Sequence, residues 1–191
     1  MMEDEDYAKA LMNSIFRFVK EDAERTLLAG QGEYTFFEYN EDIATQRGMM
    51  LSPELWKKLV LPYLADFCKL VHKYKAYVKY HSCGAISDII DDLIDVGVDI
   101  LNPIQPKATG MDPFDLKRRF GKRICLHGGL DIQDLLPNGS TDEVHSYVRS
   151  LIDHVGNDGG FILAGSHTIQ IDSKVENILA AVNEVQSLRF F

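Results

Sequence analysis

The strongest constraint on this chain is a repeated alternation: an extended apolar run, a polar cluster, then a segment with helical spacing. The extended runs are Tyr34–Tyr39, Ala76–His81, Val98–Asn102, Arg123–His127 and Phe161–Ala164, rich in the aromatic and β-branched residues that suit a pleated surface. Helical spacing places Leu11, Ile15, Phe18 and Val19 on one face of Tyr7–Leu28. Ser52-Pro53-Glu54 is a helix start, with serine as cap and proline in the first turn, and that helix runs to about His72 with a kink or split at Pro62. Ser87–Val96, Pro113–Phe120, a segment capped by Ser140 and running to about Val155, and Val175–Leu188 complete the helices. Strands alternating with helices at this spacing predict a parallel sheet with right-handed crossovers.

Every predicted strand hands over to polar residues at its C-terminal end: Asn40/Glu41/Asp42, His81/Cys83, Asn102/Gln105, Asp131 and Ser166/His167. In both doubly wound sheets and (β/α)8 barrels, that edge carries the chemistry. No G-x-G-x-x-G or P-loop follows a strand, so nucleotide binding has no support.

Within this pattern, V-K-Y-H-S-C-G-A-I (78–86) stands out. Residues two apart on a strand share a face, so His81 and Cys83 converge, and Gly84 lets the backbone turn away. One reading is a zinc site; the other is a half-buried histidine beside an inert core cysteine. Asn102 and Gln105 are candidates for hydrogen bonds to a substrate, although Asn102-Pro103 also reads as loop punctuation. Asp131, after Gly128-Gly129, is either an outer-shell carboxylate that orients a metal-bound histidine or a helix cap. Cys125 and His127 read as barrel-wall residues, Cys68 as an apolar filler, and His72, His145 and His154 as solvated helix residues.

Composition excludes several classes. A formal charge of −9 argues against nucleic-acid or anionic-membrane binding, and no apolar run approaches a membrane span. The acidic start M-M-E-D-E-D is unlike a secretory signal or transit peptide. Three widely spaced cysteines, Cys68, Cys83 and Cys125, do not form a disulfide framework, which predicts a reduced, cytoplasmic compartment.

Several segments, in order, resemble the C-terminal part of the uroporphyrinogen decarboxylase superfamily: E-D-I-A-T-Q-R-G-M-M-L-S-P-E-L-W (41–56), Y-H-S-C-G-A-I (80–86), G-V-D-I-L-N-P-I-Q (97–105), L-K-R-R-F-G-K-R-I-C-L-H-G-G-L-D (116–131), L-L-P-N-G-S-T-D-E-V (135–144) and G-G-F-I-L-A-G-S-H-T-I-Q (159–170). The resemblance implies an α/β fold that is a partial (β/α)8 TIM barrel, the last five of the eight βα units plus a leading helix. Since a full barrel needs about 250 residues, it also implies a single domain over 1–191 that lacks the first three strands. A homodimer or a complementing N-terminal half would then close the sheet, because an open edge exposes unpaired backbone groups.

His81-Ser82-Cys83-Gly84 is similar to the H-x-C motif of the zinc- and corrinoid-dependent methyltransferases of that superfamily. The resemblance implies zinc at His81 and Cys83, a small-molecule thiol acceptor, and a methyl group delivered on a partner corrinoid protein. Those enzymes use a second cysteine after the last strand; here Gly165-Ser166-His167-Thr168 puts His167 at that place, as metal ligand or as substrate-binding residue. Glu41 and Asp42 fall where the superfamily has acidic residues at the pocket mouth, in catalytic roles, or else in a solvated turn, with Gln46 in the same loop. Two other functions fit the resemblance: cofactor-free decarboxylation of a tetrapyrrole in porphyrin biosynthesis, and an inactive fragment or half of a split barrel.

Overall fold

The computed structural model describes residues 4–188. Its centre is a five-stranded sheet in the order β1-β4-β5-β6-β7, every pair parallel, as the alternation predicted. These strands are β1 (Phe36–Asn40), β4 (Tyr77–His81), β5 (Ile100–Ile104), β6 (Cys125–Leu130) and β7 (Phe161–Gly165). The leading helix α1 is Glu5–Ala29, and the chain ends in α8 (Val175–Ser187). Mixed α/β layering around a parallel sheet, with each strand but the last followed by at least one helix before the next, is that of a partial TIM barrel.

The expected long helix after Ser52 is two: α2 (Pro53–Leu59) and α3 (Leu61–Lys73), broken at Val60 just ahead of Pro62. Ser52 caps α2 by accepting from the Leu55 N–H. The segment 87–96 is a tight turn of 3-10 helix followed by α4 (Ile90–Asp95), and α5 is Pro113–Phe120. Ser140 and Glu143 form the reciprocal capping box that opens α7 (Thr141–Leu151). Three short elements were not foreseen: the antiparallel hairpin β2 (Ala44–Thr45) and β3 (Gly48–Met49), and α6 (Leu135–Asn138).

Strands β5 and β6 reach further toward their C-terminal ends than propensity alone places them. Pairing explains the difference: Gly128, Gly129 and Leu130 lie opposite Leu163, Ala164 and Gly165. Weak strand formers are thus held extended by their neighbour.

The two faces of the sheet are unlike. Phe37 and Tyr39 of β1 and Val78 and Tyr80 of β4 turn outward into a core with Trp56, Leu64, Phe67, Ile86, Ile90 and Leu93. Helix α1 covers part of this layer through α3, with Phe16 and Tyr63 rings 5.0 Å apart. A smaller cluster of Leu130, Ile132, Leu136, Val144, Val148, Ala180 and Ala181 seats α7 and α8. On the opposite face Glu38 and Lys79 form an ion pair, with the Lys79 ammonium 4.8 Å from the Phe36 ring centre. Phe36, Tyr77 and Ile162 remain substantially exposed there.

Candidate metal centre

Parallel register sets the first two groups of the site. Asn40, His81 and Asn102 lie side by side in one row across the C-terminal ends of β1, β4 and β5. His81 Nδ1 is 2.7 Å from Asn102 Oδ1. A side-chain carbonyl oxygen only accepts, so Nδ1 carries the proton and Nε2 keeps its lone pair. That lone pair faces Cys83: Nε2 and Sγ are 3.8 Å apart.

Ser82, between them, points the opposite way and is fully buried, where its hydroxyl accepts from the Ile43 N–H and donates to the Cys83 carbonyl. Asp42 approaches from the end of β1. Its Oδ1 accepts from the Cys83 N–H at 2.8 Å and lies 3.8 Å from His81 Nε2. Burial, and after it the Asp42 carboxylate, raise the Cys83 thiol above its ordinary range. Left to itself, Cys83 is therefore protonated at neutral pH; a cation reverses that by stabilising the thiolate.

Gly84 follows with φ of +91°, and a Cβ there would meet the Thr45 carbonyl oxygen at 2.5 Å. Only glycine lets the β2–β3 hairpin press this closely on the Cys83 loop. The third group arrives from β7. A Cβ on Gly165 would meet the His167 carbonyl oxygen at 2.9 Å, so the chain folds tightly here and brings His167 back over the strand end. The His81 and His167 rings are 6.4 Å apart, inclined at 63°.

His81, Cys83 and His167 each offer a ligand atom within 4.8 Å of the others. Zinc bond lengths of about 2.0–2.3 Å at tetrahedral angles place neighbouring donors roughly 3.3–3.7 Å apart. The His81–Cys83 edge, at 3.8 Å, is close to that separation, and side-chain adjustment of the exposed His167 closes the other two. Two imidazoles and one thiolate suit zinc and leave a fourth position open. These residues fit the metal.

The other candidates divide. Asp42 joins the cluster. Glu41, its neighbour, does not: it turns outward into the core, where Oε1 accepts from the Trp56 indole N–H at 2.7 Å and Oε2 is buried without a partner among the described residues. Burial pushes its carboxyl up to about 7 against the lowering effect of Trp56. Asp131 is likewise occupied. Its Oδ1 accepts from the N–H groups of Gln133 and Asp134, capping the turn before α6, and Oδ2 lies 3.6 Å from Lys107. It lines a separate cavity of about 450 Å³ with Lys107, Asp134 and Tyr147. Gln105 is 6% exposed, and its amide is engaged by protein groups rather than offered to a ligand.

Sequence reasoning missed Ser82 as a buried support, placed Ser166 on the polar edge without its supporting role, and missed the part played by Gln46. A signal existed for Ser82, because a residue between two same-face ligands must point to the opposite face.

The family model described as uroporphyrinogen decarboxylase (URO-D) matches residues 1–188. The chain belongs to this family. A methyltransferase from Methanosarcina mazei superposes with a TM-score of 0.61 at 21% identity, over 78% of this chain and 41% of that one. At that identity the likeness shows the shared fold, and the chain spans well under half the length of that structure. No curated protein matches the chain in sequence. No helix among the described residues is long and apolar enough to cross a membrane.

Proposed function

We propose that the chain is a methyltransferase-type member of its family that holds zinc through His81, Cys83 and His167. Its acceptor is a small-molecule thiol, and a corrinoid protein is the partner that brings the methyl group. The convergence of two imidazoles and a thiol from two separate strand ends carries this reading. Zinc in such a site supplies Lewis acidity that keeps a substrate thiol ionised at neutral pH.

The chain's own groups prepare that chemistry. Asn102 fixes the His81 tautomer, so Nε2 is a donor without a proton to displace. Asp42 holds the Cys83 backbone and, with its side chain 65% exposed, is the acid–base candidate of the set. One thiolate and two neutral imidazoles leave a divalent ion with a net charge of +1 over its ligands, which the nearby Asp42 carboxylate offsets.

Closure of the sheet belongs to the same reading. Among the described residues β1 pairs only with β4, and β7 only with β6, whereas a closed barrel has eight strands. A second copy, or a segment supplying three more strands, is the partner we assign to those edges. Cys68, Cys83 and Cys125 are all free, which supports a cytoplasmic setting.

Metal analysis of the purified chain beside Cys83→Ser tests the proposal. Stoichiometric zinc in the first and its loss from the second is the expected result. Absence of zinc from both, or turnover of uroporphyrinogen without metal, overturns it in favour of decarboxylation.

A further inference from the structure

Strands β4 and β7, which bring Cys83 and His167, are not neighbours; β5 and β6 lie between them. Three strand spacings of about 4.8 Å would separate them by roughly 14 Å in a flat sheet. The His81 and His167 rings nevertheless stand 6.4 Å apart. Curvature and loop reach close the gap, and something must hold the loops there. No backbone hydrogen bond joins the two ligand loops directly among the described residues.

One side chain does. Gln105 Oε1 accepts from the Gly84 N–H at 2.8 Å and from Gln46 Nε2 at 2.7 Å, while its own Nε2 donates to the Ser166 carbonyl at 3.2 Å. Gly84 directly follows Cys83, and Ser166 directly precedes His167. Gln46 sits in the turn of the β2–β3 hairpin, whose Thr45 carbonyl accepts from the Ala85 N–H. Ser166 is itself fixed, its N–H on the Leu130 carbonyl and its hydroxyl near the Ile132 N–H. A single buried amide therefore ties both ligand loops and the hairpin to the end of β5. Both acceptor positions and one donor are used, and only a carboxamide offers that combination at this length.

We propose that Gln105 is a positioning residue that sets the separation of Cys83 and His167, and through it the affinity of the metal site, without touching the metal. This rests on the zinc reading above. Partners of this kind change metal affinity by about 10–100-fold when removed.

The test compares zinc affinity, by competition with a chromophoric chelator, and the visible spectrum of the Co²⁺ form. The proteins are the wild-type chain, Gln105→Met, Gln105→Glu, His167→Ala and the Gln105→Met/His167→Ala double variant. Gln105→Met should weaken zinc binding at least about 10-fold, keep the thiolate-to-cobalt band of Cys83, and otherwise resemble His167→Ala. The double variant should bind within about 2-fold of His167→Ala, because both changes remove the same contribution. Gln105→Glu retains both acceptor bonds but turns the donor toward Ser166 into an oxygen that repels the Ser166 carbonyl, so it should also weaken binding, and it decides the matter if Gln105→Met fails to fold.

Wild-type affinity and spectrum in the folded Gln105 variants overturn the proposal, as do losses that multiply in the double variant or unfolding of both single Gln105 variants. Absence of zinc binding by the wild-type chain overturns the metal reading and this proposal with it.

Discussion

Asn102 Oδ1 lies 2.7 Å from His81 Nδ1, and the adjacency of β4 and β5 in register puts it there. An acceptor on one ring nitrogen commits the other to the metal side. Asn102→Ala should therefore weaken zinc binding about 10–100-fold, whereas Asn102→Asp, which keeps an acceptor, should stay within a few-fold of wild type. Chelator competition distinguishes the two.

Glu41 makes the fold pH-dependent. Burial holds its carboxyl at about 7 in the folded chain, above the value near 4.3 expected when unfolded. Between those values the folded state binds the extra proton, so stability falls as pH rises through the window. The cost at pH 8 is on the order of 4 kcal/mol at most. Glu41→Gln keeps an acceptor for the Trp56 indole and removes the charge. Urea denaturation from pH 4.5 to 8 should show the wild-type decline flattened in this variant.

Gly84→Ala should destabilise the chain by about 1–3 kcal/mol or more, since it adds a side chain at positive φ and against the Thr45 carbonyl. Either the hairpin or the Cys83 loop must move. A lower midpoint in chemical denaturation, together with weaker zinc binding, is the expected pair of results.

Helix α1 leaves Leu11, Ile15 and Phe18 exposed, Phe18 at 73%. Together with Phe67, and with Phe37 and Tyr39 of the edge strand β1, the α1 residues Ile15 and Phe18 line a cavity of about 370 Å³. Apolar surface beside an unpaired strand edge promotes association. Sedimentation velocity should show concentration-dependent self-association of the wild-type chain, reduced in Phe18→Glu without loss of secondary structure.

The alternation of strands and helices was legible in the sequence because periodicity and capping are local properties. So was the polar edge, because in a parallel sheet every strand ends on the same side. The His81–Cys83 pair was legible too: an i, i+2 spacing keeps two side chains on one side while the chain stays extended, here just past His81, where β4 ends. The hairpin β2–β3 was not, since two-residue strands carry no readable period. Glu41 and Asp42 looked equivalent in a polar cluster, yet successive residues of an extended chain point opposite ways. Phe37, Tyr39 and Glu41 share the buried side, whereas Asp42 reaches the site.

What only the tertiary structure decided is how the loops are held together. Cys83 and His167 meet across two intervening strands; no spacing in the chain encodes that approach, and it was the family resemblance that put His167 at the third ligand's place. Gln105 read as a polar group awaiting a ligand; in the fold its hydrogen-bonding groups face Gly84, Gln46 and Ser166. A polar side chain near a strand end has the same appearance in sequence whether solvent or protein faces it. Packing determines the difference, because a buried amide must find its partners within the protein.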